Sequence, residues 1–188
     1  MANHVYSFFN ITFSSEADAI DFSEWIGLLP VNENITWGER IEACCNIMID
    51  NLWEDNEDTR QWWIDNIGAK WMYFDDIDRY DDEVHINMTS AWDFPEGLFF
   101  KLSDFLRDRY QGAIMQVTFE DEGYNFIGAG GSNQEFRDVE YHHPDFDEMD
   151  EYKDSDGCWT DEYYEEMDNR KQMVLDEVLS FIQQDISE

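Results

Sequence analysis

The sequence predicts an α+β fold in which short strands and amphipathic helices surround one apolar core. The 188 residues are 43% hydrophobic and 16% aromatic, which is ample for a core despite a formal net charge of -34. Acidic chains that stay disordered are instead poor in aromatic residues. Apolar residues recur at every second position near the start of the chain, as in a strand. Farther along, Leu98, Leu102, Phe105 and Leu106 recur at helical spacing.

A strand and a helix open the chain. The alternating apolar residues predict a strand over residues 4–13. Ser14 and Ser15 then offer an N-cap to a helix over residues 16–26. The Asn-rich stretch 32–34 marks a loop.

Two further helices are expected before the next strand. Thr36 followed by Glu39 resembles a capping box, and apolar residues follow it at helical spacing. An acidic turn over residues 54–58 comes next. A short helix around residues 62–64 should then end at Gly68.

The middle of the chain predicts two strands and a helix. Strands are expected over residues 70–75 and 84–90, joined by an acidic link from Asp75 to Glu83. Pro95 suits the first turn of a helix that runs to about Tyr110.

A hairpin and another strand should follow. Residues 113–120 and 124–129 form its two strands, and Glu122-Gly123 lies at its turn. Three glycines are then expected to let the chain bend, and a last strand covers residues 134–141. The three glycines are Gly128, Gly130 and Gly131.

The composition changes in the last quarter of the chain. Residues 138–168 hold 14 Asp or Glu against one Lys, with aromatic residues between them. The aromatic residues suggest that this segment is tethered to the body of the protein. Residues 160–184 carry an apolar stripe that predicts an amphipathic helix packed on the domain. We therefore expect a domain over residues 1–137 and an acidic segment with a terminal helix over residues 138–188.

Composition also bounds the location of the protein. No run of about 18 apolar residues predicts a membrane span, and the first residues do not resemble a signal peptide. The three cysteines, Cys44, Cys45 and Cys158, are an odd number, which favours a reducing compartment. We expect a protein of the bacterial cytoplasm that contacts no membrane, as a monomer or a homodimer.

Four stretches carry a resemblance to a known family. They are residues 1–6 (Met-Ala-Asn-His-Val-Tyr), residues 61–71 (Gln-Trp-Trp-Ile-Asp-Asn-Ile-Gly-Ala-Lys-Trp), residues 88–95 (Met-Thr-Ser-Ala-Trp-Asp-Phe-Pro) and residues 120–128 (Glu-Asp-Glu-Gly-Tyr-Asn-Phe-Ile-Gly). Together they resemble the Api92-like proteins, which have a YubB ferredoxin-like domain and occur largely on phages and plasmids. The resemblance covers about residues 1–130.

This resemblance implies a ferredoxin-like antiparallel sheet with helices on one face, and it implies no established chemistry. The chain departs from the family pattern at Ile67, at Asp93-Phe94 and in the acidity of its last third. The resemblance therefore carries no catalytic residues across to this sequence.

Motifs for metal or catalytic sites are weak. Asp154-Ser155-Asp156-Gly157 resembles part of a calcium loop, but tyrosines stand where that loop needs its first and last carboxylates. His142, His143 and Cys158 lack the paired spacing of structural zinc sites. Chance carboxylate pairs are unavoidable among 45 acidic residues, and no nucleophile turn or P-loop is present. We therefore predict no catalytic residues, no cofactor and no metal.

A tryptophan-rich platform for nucleic acid is also disfavoured. Trp62, Trp63, Trp71 and Trp92 are the residues that would stack on bases. Such platforms come with positively charged grooves, and this chain has the opposite charge. Core packing is the better interpretation, and no direct binding of nucleic acid is expected.

The charge itself is the strongest functional signal. The 34 net charges match roughly 58 Å of B-DNA at one charge per 1.7 Å. We hypothesise a non-catalytic phage or mobile-element inhibitor whose acidic surface mimics nucleic acid and blocks a basic host defence protein, such as a restriction complex, a CRISPR effector or a DarT-type toxin. The predicted partner-binding residues are Asp145, Asp147, Glu148, Asp150, Glu151, Asp154, Asp156, Trp159, Asp161, Glu162, Glu165 and Glu166, with Asp75, Asp76, Asp78, Asp81 and Asp82 as a second patch.

Three other interpretations stay open. The first is an accessory module that docks a basic partner without mimicking DNA. The second is an enzyme or a carboxylate metal site whose residues are hidden among the many other acids. The third is that the acidity only keeps the protein soluble, as in salt-adapted proteins.

Overall fold

The structure is a computed structural model that describes residues 3–27, 59–135, 137–143 and 151–185. Within these ranges it contains six strands and four helices. The strands are β1 (His4–Thr12), β2 (Met72–Tyr80), β3 (Glu83–Ala91), β4 (Ile114–Asp121), β5 (Ile127–Ser132) and β6 (Arg137–His142). The helices are α1 (Glu16–Gly27), α2 (Thr59–Ile67), α3 (Glu96–Arg109) and α4 (Asp161–Asp185). Several predictions lie outside the described residues: the loop at 32–34, the capped helix after Thr36, Cys44, Cys45 and the acidic turn 54–58.

The strands form one antiparallel sheet in the order β2-β3-β1-β4-β5-β6, which confirms the α+β prediction. The first four strands place β1 and β3 in the centre and connect through α1 and α3. This arrangement is compatible with a ferredoxin-like unit. Two hairpins then extend the sheet by β5 and β6. None of the described helices is long and apolar enough to cross a bilayer.

One face of the sheet, which we call the inner face, packs against α1, α2 and α3. Strand β1 alternates as predicted, with Val5, Phe9 and Ile11 buried on this face. Aromatic rings fill the space below the helices, and the Phe94 ring stacks on Phe119 at 4.1 Å between centroids. This core therefore joins every strand from β1 to β4 to the three helices.

The opposite, outer face is covered at one end by α4. Tyr163 and Met167 of this helix pack on Ile127 of β5 in a small second cluster. Since side chains alternate along β5, Ile127 points away from Gly128, which lies against the inner-face ring of Phe119. The terminal helix thus packs on the sheet but on the face opposite to α1 and α3. Four residues of its predicted stripe have side chains outside the described set: Leu175, Val178, Phe181 and Ile182.

The bend predicted at the glycines of β5 is wrong, because these residues lie within a strand. Gly128 and Gly130 lie within a regular strand, paired with β4 and β6. A Cβ at Gly128 would come within 2.3 Å of the Phe119 ring and 2.4 Å of the Glu140 carbonyl oxygen. Glycine is needed here because the backbone approaches its neighbours closely, a use that the sequence does not distinguish from a bend.

The prediction of an acidic link from Asp75 to Glu83 is also wrong. Most of it belongs to β2, which runs to Tyr80, so that only Asp81 and Asp82 connect it to β3. Asp81 has a φ of 51°, a left-handed conformation that Asp tolerates in turns. Acidic residues resemble a loop in sequence, but at the edge of a sheet they also discourage pairing with other chains.

The remaining boundaries shift by a few residues. Strand β5 begins at Ile127 because the Asp121 carboxylate accepts hydrogen bonds from the backbone N–H groups of Gly123 and Asn125, which closes a longer turn. Strand β6 covers residues 137–142, so the predicted start of the acidic segment at residue 138 falls within this strand. The division of the chain at that residue stays a prediction.

Candidate anionic interface

We call the exposed acids of residues 151–168 the C-terminal acidic surface. A tight turn positions its first part. The Asp154 Oδ1 atom accepts hydrogen bonds from the backbone N–H groups of Asp156 at 2.8 Å and Cys158 at 2.9 Å. Lys153 and Trp159 then pair as a short antiparallel bridge. This carboxylate organises the loop itself. No group of three potential metal ligands occurs anywhere in the described residues.

The first turn of α4 forms the second part of this surface. Asp161 and Glu162 lie at the N-terminus of the helix, where backbone N–H groups favour negative charge. Hydrogen bonds from its own backbone N–H and from Thr160 lower the pKa of Glu162. Glu165 is also exposed, whereas Glu166 accepts a 2.7 Å hydrogen bond from Arg170 and is partly neutralised. The helix start therefore presents fixed negative charge to solvent.

The aromatic residues of this region belong mostly to the packing below it. Tyr163 is only 1% exposed, and burial raises its pKa, so it is a core residue and no surface contact. The Trp159 ring stacks on Tyr163 at 4.1 Å and is partly buried, with the Lys153 ammonium 4.5 Å from its centroid. Tyr164 remains 47% exposed. Of these three aromatic residues, Tyr164 is thus the most accessible, and Tyr163 is too buried to contact a partner.

The second predicted patch is the acidic edge of β2, which we call the β2 acidic edge. Asp76 and Asp78 are exposed on the outer face, in register with Asn87 and His85 of β3. Asp75 lies at an irregularity of the strand, and its carboxylate accepts a 2.7 Å hydrogen bond from the Thr89 hydroxyl. Asp81 and Asp82 form the exposed turn.

Basic side chains are largely occupied within the molecule. Six of them form ion pairs with acids in the described part of the chain. They are Arg79 with Glu16, Arg107 and Arg137 with Asp104, Arg109 with Asp21, Arg170 with Glu166, and Lys171 with Glu120 and Asp168. None of these pairs reaches the first turn of α4 or the exposed acids of β2. These six basic residues therefore do not neutralise those carboxylates.

Lys171 ties α4 to the sheet. Burial lowers the pKa of its ammonium, but hydrogen bonds and charge interactions with Glu120 and Asp168 outweigh this effect and leave the pKa raised. The lysine therefore stays protonated beside Glu120 of β4, on the outer face. This pair neutralises one acid and fixes the helix that carries the C-terminal acidic surface.

The two acidic surfaces lie at opposite ends of the sheet order. The β2 acidic edge is at one edge strand, and α4 packs on β5 and β6 at the other end. Five strand spacings of about 4.8 Å separate the edges by roughly 24 Å, the length of about seven base pairs of B-DNA. Both border the outer face. Four predicted site residues, Asp145, Asp147, Glu148 and Asp150, lie outside the described residues.

Sequence reasoning missed a feature between these surfaces. Tyr6 and Phe8 occupy outward positions of β1 and are 38% and 45% exposed, and Tyr80 of β2 is 59% exposed. We call the outer side of β1, β2 and β3 the open sheet face. The signal was present in the sequence, because Tyr6 and Phe8 stand where an alternating strand ordinarily places polar residues.

Comparison with known proteins yields little. No family model matches the chain, and no curated protein matches it in sequence.

Two solved structures show weak likeness. The protein api92 from Yersinia pseudotuberculosis, described with the family model DUF1281, has 11% identity and a TM-score of 0.39, over 69% of this chain and 54% of that one. M. kandleri SerRS, solved in complex with A. aeolicus tRNASec, has 12% identity and a TM-score of 0.34, over 65% of this chain and 21% of its own. The chain thus spans about half the length of the first protein. The api92 likeness is loosely consistent with the family resemblance, but similarity at this level carries no functional argument.

Proposed function

We propose that the protein is a non-catalytic inhibitor that occupies the basic, nucleic-acid-binding surface of a defence protein. Its C-terminal acidic surface would take the place of phosphates, and the β2 acidic edge would serve as a second contact. A phage or mobile-element origin, and a target among restriction, CRISPR or DarT-type proteins, belong to this proposal. They are suggested by the family resemblance and by the charge.

One observation supports this proposal above the others. Six basic side chains of the described residues pair with acids elsewhere, and the exposed carboxylates at the start of α4 stay outside these six sets of pairs. The turn at Asp154 and the helix N-terminus hold these charges in place. A preorganised anionic surface attracts a basic groove at long range and competes with nucleic acid for it.

Partner capture at two salt concentrations tests this proposal. The full-length protein is immobilised and exposed to a bacterial lysate, and the captured partner is then purified. We expect binding to fall steeply as sodium chloride rises, and we expect duplex DNA to displace the inhibitor. A partner that holds the protein equally well in high salt and in excess DNA would overturn the mimicry.

Charge reversal locates the contact. The double variant Asp161→Lys, Glu165→Lys should weaken binding to that partner by about tenfold or more, because two interface charges become repulsive. The matched control is Glu24→Lys, Asp108→Lys, which changes the net charge equally at exposed positions of α1 and α3. Equal loss in both variants would show that total charge alone controls binding. Full binding by the first variant would move the contact away from α4.

A further inference from the structure

The open sheet face presents aromatic rings and acids together. In the register of the sheet, Phe8 lies beside Asn87, which lies beside Asp76. One step along, Asn10, His85 and Asp78 form the next row. Phe8 and Asp76 are thus two strand spacings, about 10 Å, apart on the same face, an arrangement of exposed ring and carboxylate that neither a solubilising surface nor a core requires.

The strand residues that form this face contribute no Lys or Arg side chain to it. Among the residues of β1, β2 and β3, the one Lys or Arg is Arg79, and its side chain pairs with Glu16 of α1 on the inner face. The carboxylate of Glu83 lies 3.2 Å from the His85 ring, which packs against Tyr80 at 5.3 Å. The face therefore repels phosphate and also repels a second copy of itself placed face to face.

We propose that the open sheet face docks an arginine-bearing segment of a partner protein. One guanidinium group of the segment stacks on Phe8 or Tyr80 through its flat face, and the guanidinium of an alternate arginine donates paired hydrogen bonds to Asp76 or Asp78 through its edge. Lysine has the same charge but lacks this planar fork. Successive rows of the face are about 6.7 Å apart, the distance between alternate side chains of an extended peptide.

The proposal does not rest on nucleic-acid mimicry. It shares Asp76 and Asp78 with the β2 acidic edge, but it requires neither the C-terminal acidic surface nor a partner that handles nucleic acid. Charge complementarity and stacking favour arginine over the other possible occupants. Single-stranded nucleic acid offers bases for stacking, but its phosphates oppose the acids of β2 and β3.

Titration with synthetic peptides tests this inference on the full chain. The probes are a short peptide in which Arg alternates with Gly and its Lys counterpart of equal charge. We expect the Arg peptide to bind about tenfold more tightly, with amide resonance changes centred on β1, β2 and β3. Equal affinity for the two peptides would overturn the proposal. Resonance changes caused by a single-stranded oligonucleotide, and absent with the peptide, would overturn it as well.

Variants separate stacking from charge. Phe8→Leu keeps apolar volume but removes the ring, and we expect it to reduce the preference for Arg over Lys by about fivefold. Asp76→Lys, Asp78→Lys should weaken Arg-peptide binding by about tenfold or more, whereas Glu24→Lys, Asp108→Lys should weaken it less than about twofold. Thermal unfolding checks that each variant folds. Equal weakening by both double variants would reduce the effect to general charge and end the proposal.

The same experiment distinguishes this inference from the proposed function. Asp161→Lys, Glu165→Lys alters the C-terminal acidic surface and should leave the preference for Arg over Lys unchanged. A peptide that fails to bind would count against the open sheet face alone. Loss of DNA competition at the captured partner would count against the mimicry alone.

Discussion

The two faces of the sheet differ in which helices cover them and in which side chains they leave exposed. On the inner face three helices seal an aromatic core, and nearby cations such as Arg79 and Arg109 pair with acids of α1. On the outer face α4 covers one end, and the rest exposes Tyr6, Phe8 and Tyr80 among carboxylates. Packing accounts for the residues of the inner face. It does not account for the aromatic residues of the outer face, which is why we assign binding to that side.

The largest expected effect comes from removing one ring on each face. Phe119→Ala deletes a fully buried ring that stacks on Phe94 and should lower the free energy of unfolding by about 3–5 kcal/mol. Phe8→Ala deletes a ring that is 45% exposed and should cost less than about 1 kcal/mol. Urea unfolding followed by circular dichroism measures both. Similar losses would show that Phe8 is a packing residue after all.

A backbone contact sharpens the comparison further. Gly128→Ala should cost about 1–3 kcal/mol, because its new methyl group would meet the Phe119 ring and the backbone oxygen of Glu140, which cannot move aside. Gly157→Ala is the control, since no atom lies within 4 Å of its Cβ position and only its φ of 80° opposes the change. About 1 kcal/mol is expected there. A harmless Gly128→Ala in the same urea experiment would show that β4, β5 and β6 pack less closely than described.

These two predictions also show what the sequence could and could not reveal. Strand β1 and helices α1 and α3 were predicted to within about a residue, because their apolar spacing and capping residues agree. Strand β5 was misplaced, since glycine signals a turn and a close backbone contact equally well. The predicted strand was shorter than β2, because Asp76 and Asp78 resemble loop residues as long as their pairing with β3 is unknown.

The candidate site was predictable only as a composition. The density of acidic residues in the sequence indicates the C-terminal acidic surface. The same stretch also predicts that some of these acids lie at the N-terminus of α4. Which aromatic residue faces the core depends on the helix phase and on the face of the sheet that receives it. Local sequence does not encode that face, so the burial of Tyr163 and the exposure of the open sheet face emerged only from the fold.

The attachment of α4 to the outer face provides a smaller test. Lys171→Met should cost about 1–2 kcal/mol, because Glu120 would be left partly buried without its cation. Arg109→Met removes a pair with Asp21 that is more exposed and should cost less than about 0.5 kcal/mol. Urea unfolding at neutral pH compares them, and equal losses would contradict the tie between α4 and β4.

The sign of the pH effect follows from the raised pKa of Lys171. A lysine whose pKa is higher in the folded state stabilises the fold fully below its unfolded value of 10.5, and this contribution is lost as pH rises through the folded pKa. The cost of Lys171→Met should therefore be constant at neutral pH and should shrink in strong alkali. A cost that grows with pH would contradict the pairing.

The smallest expected effect comes from a repulsion on the outer face. Burial first, and then the carboxylates of Glu177 and Asp138, raise the pKa of Glu140 on β6. A raised carboxyl pKa means that the folded state binds this proton more tightly than the unfolded chain, so ionisation penalises folding above the folded pKa. The penalty disappears as pH falls through that value toward the unfolded value of 4.5.

Glu140→Gln should therefore stabilise the protein at pH 7 by about 0.5 kcal/mol, with the gain vanishing near pH 4, because such partly exposed charges are screened by solvent. Glu24→Gln removes one negative charge from α1 and reports the effect of net charge alone. Thermal unfolding across this pH range compares the two. A larger gain for Glu140→Gln would show that α4 is held on the sheet against local repulsion. Equal gains would mean that the outer face is no more strained by charge than the inner one, and the difference between the faces would then rest on their aromatic residues alone.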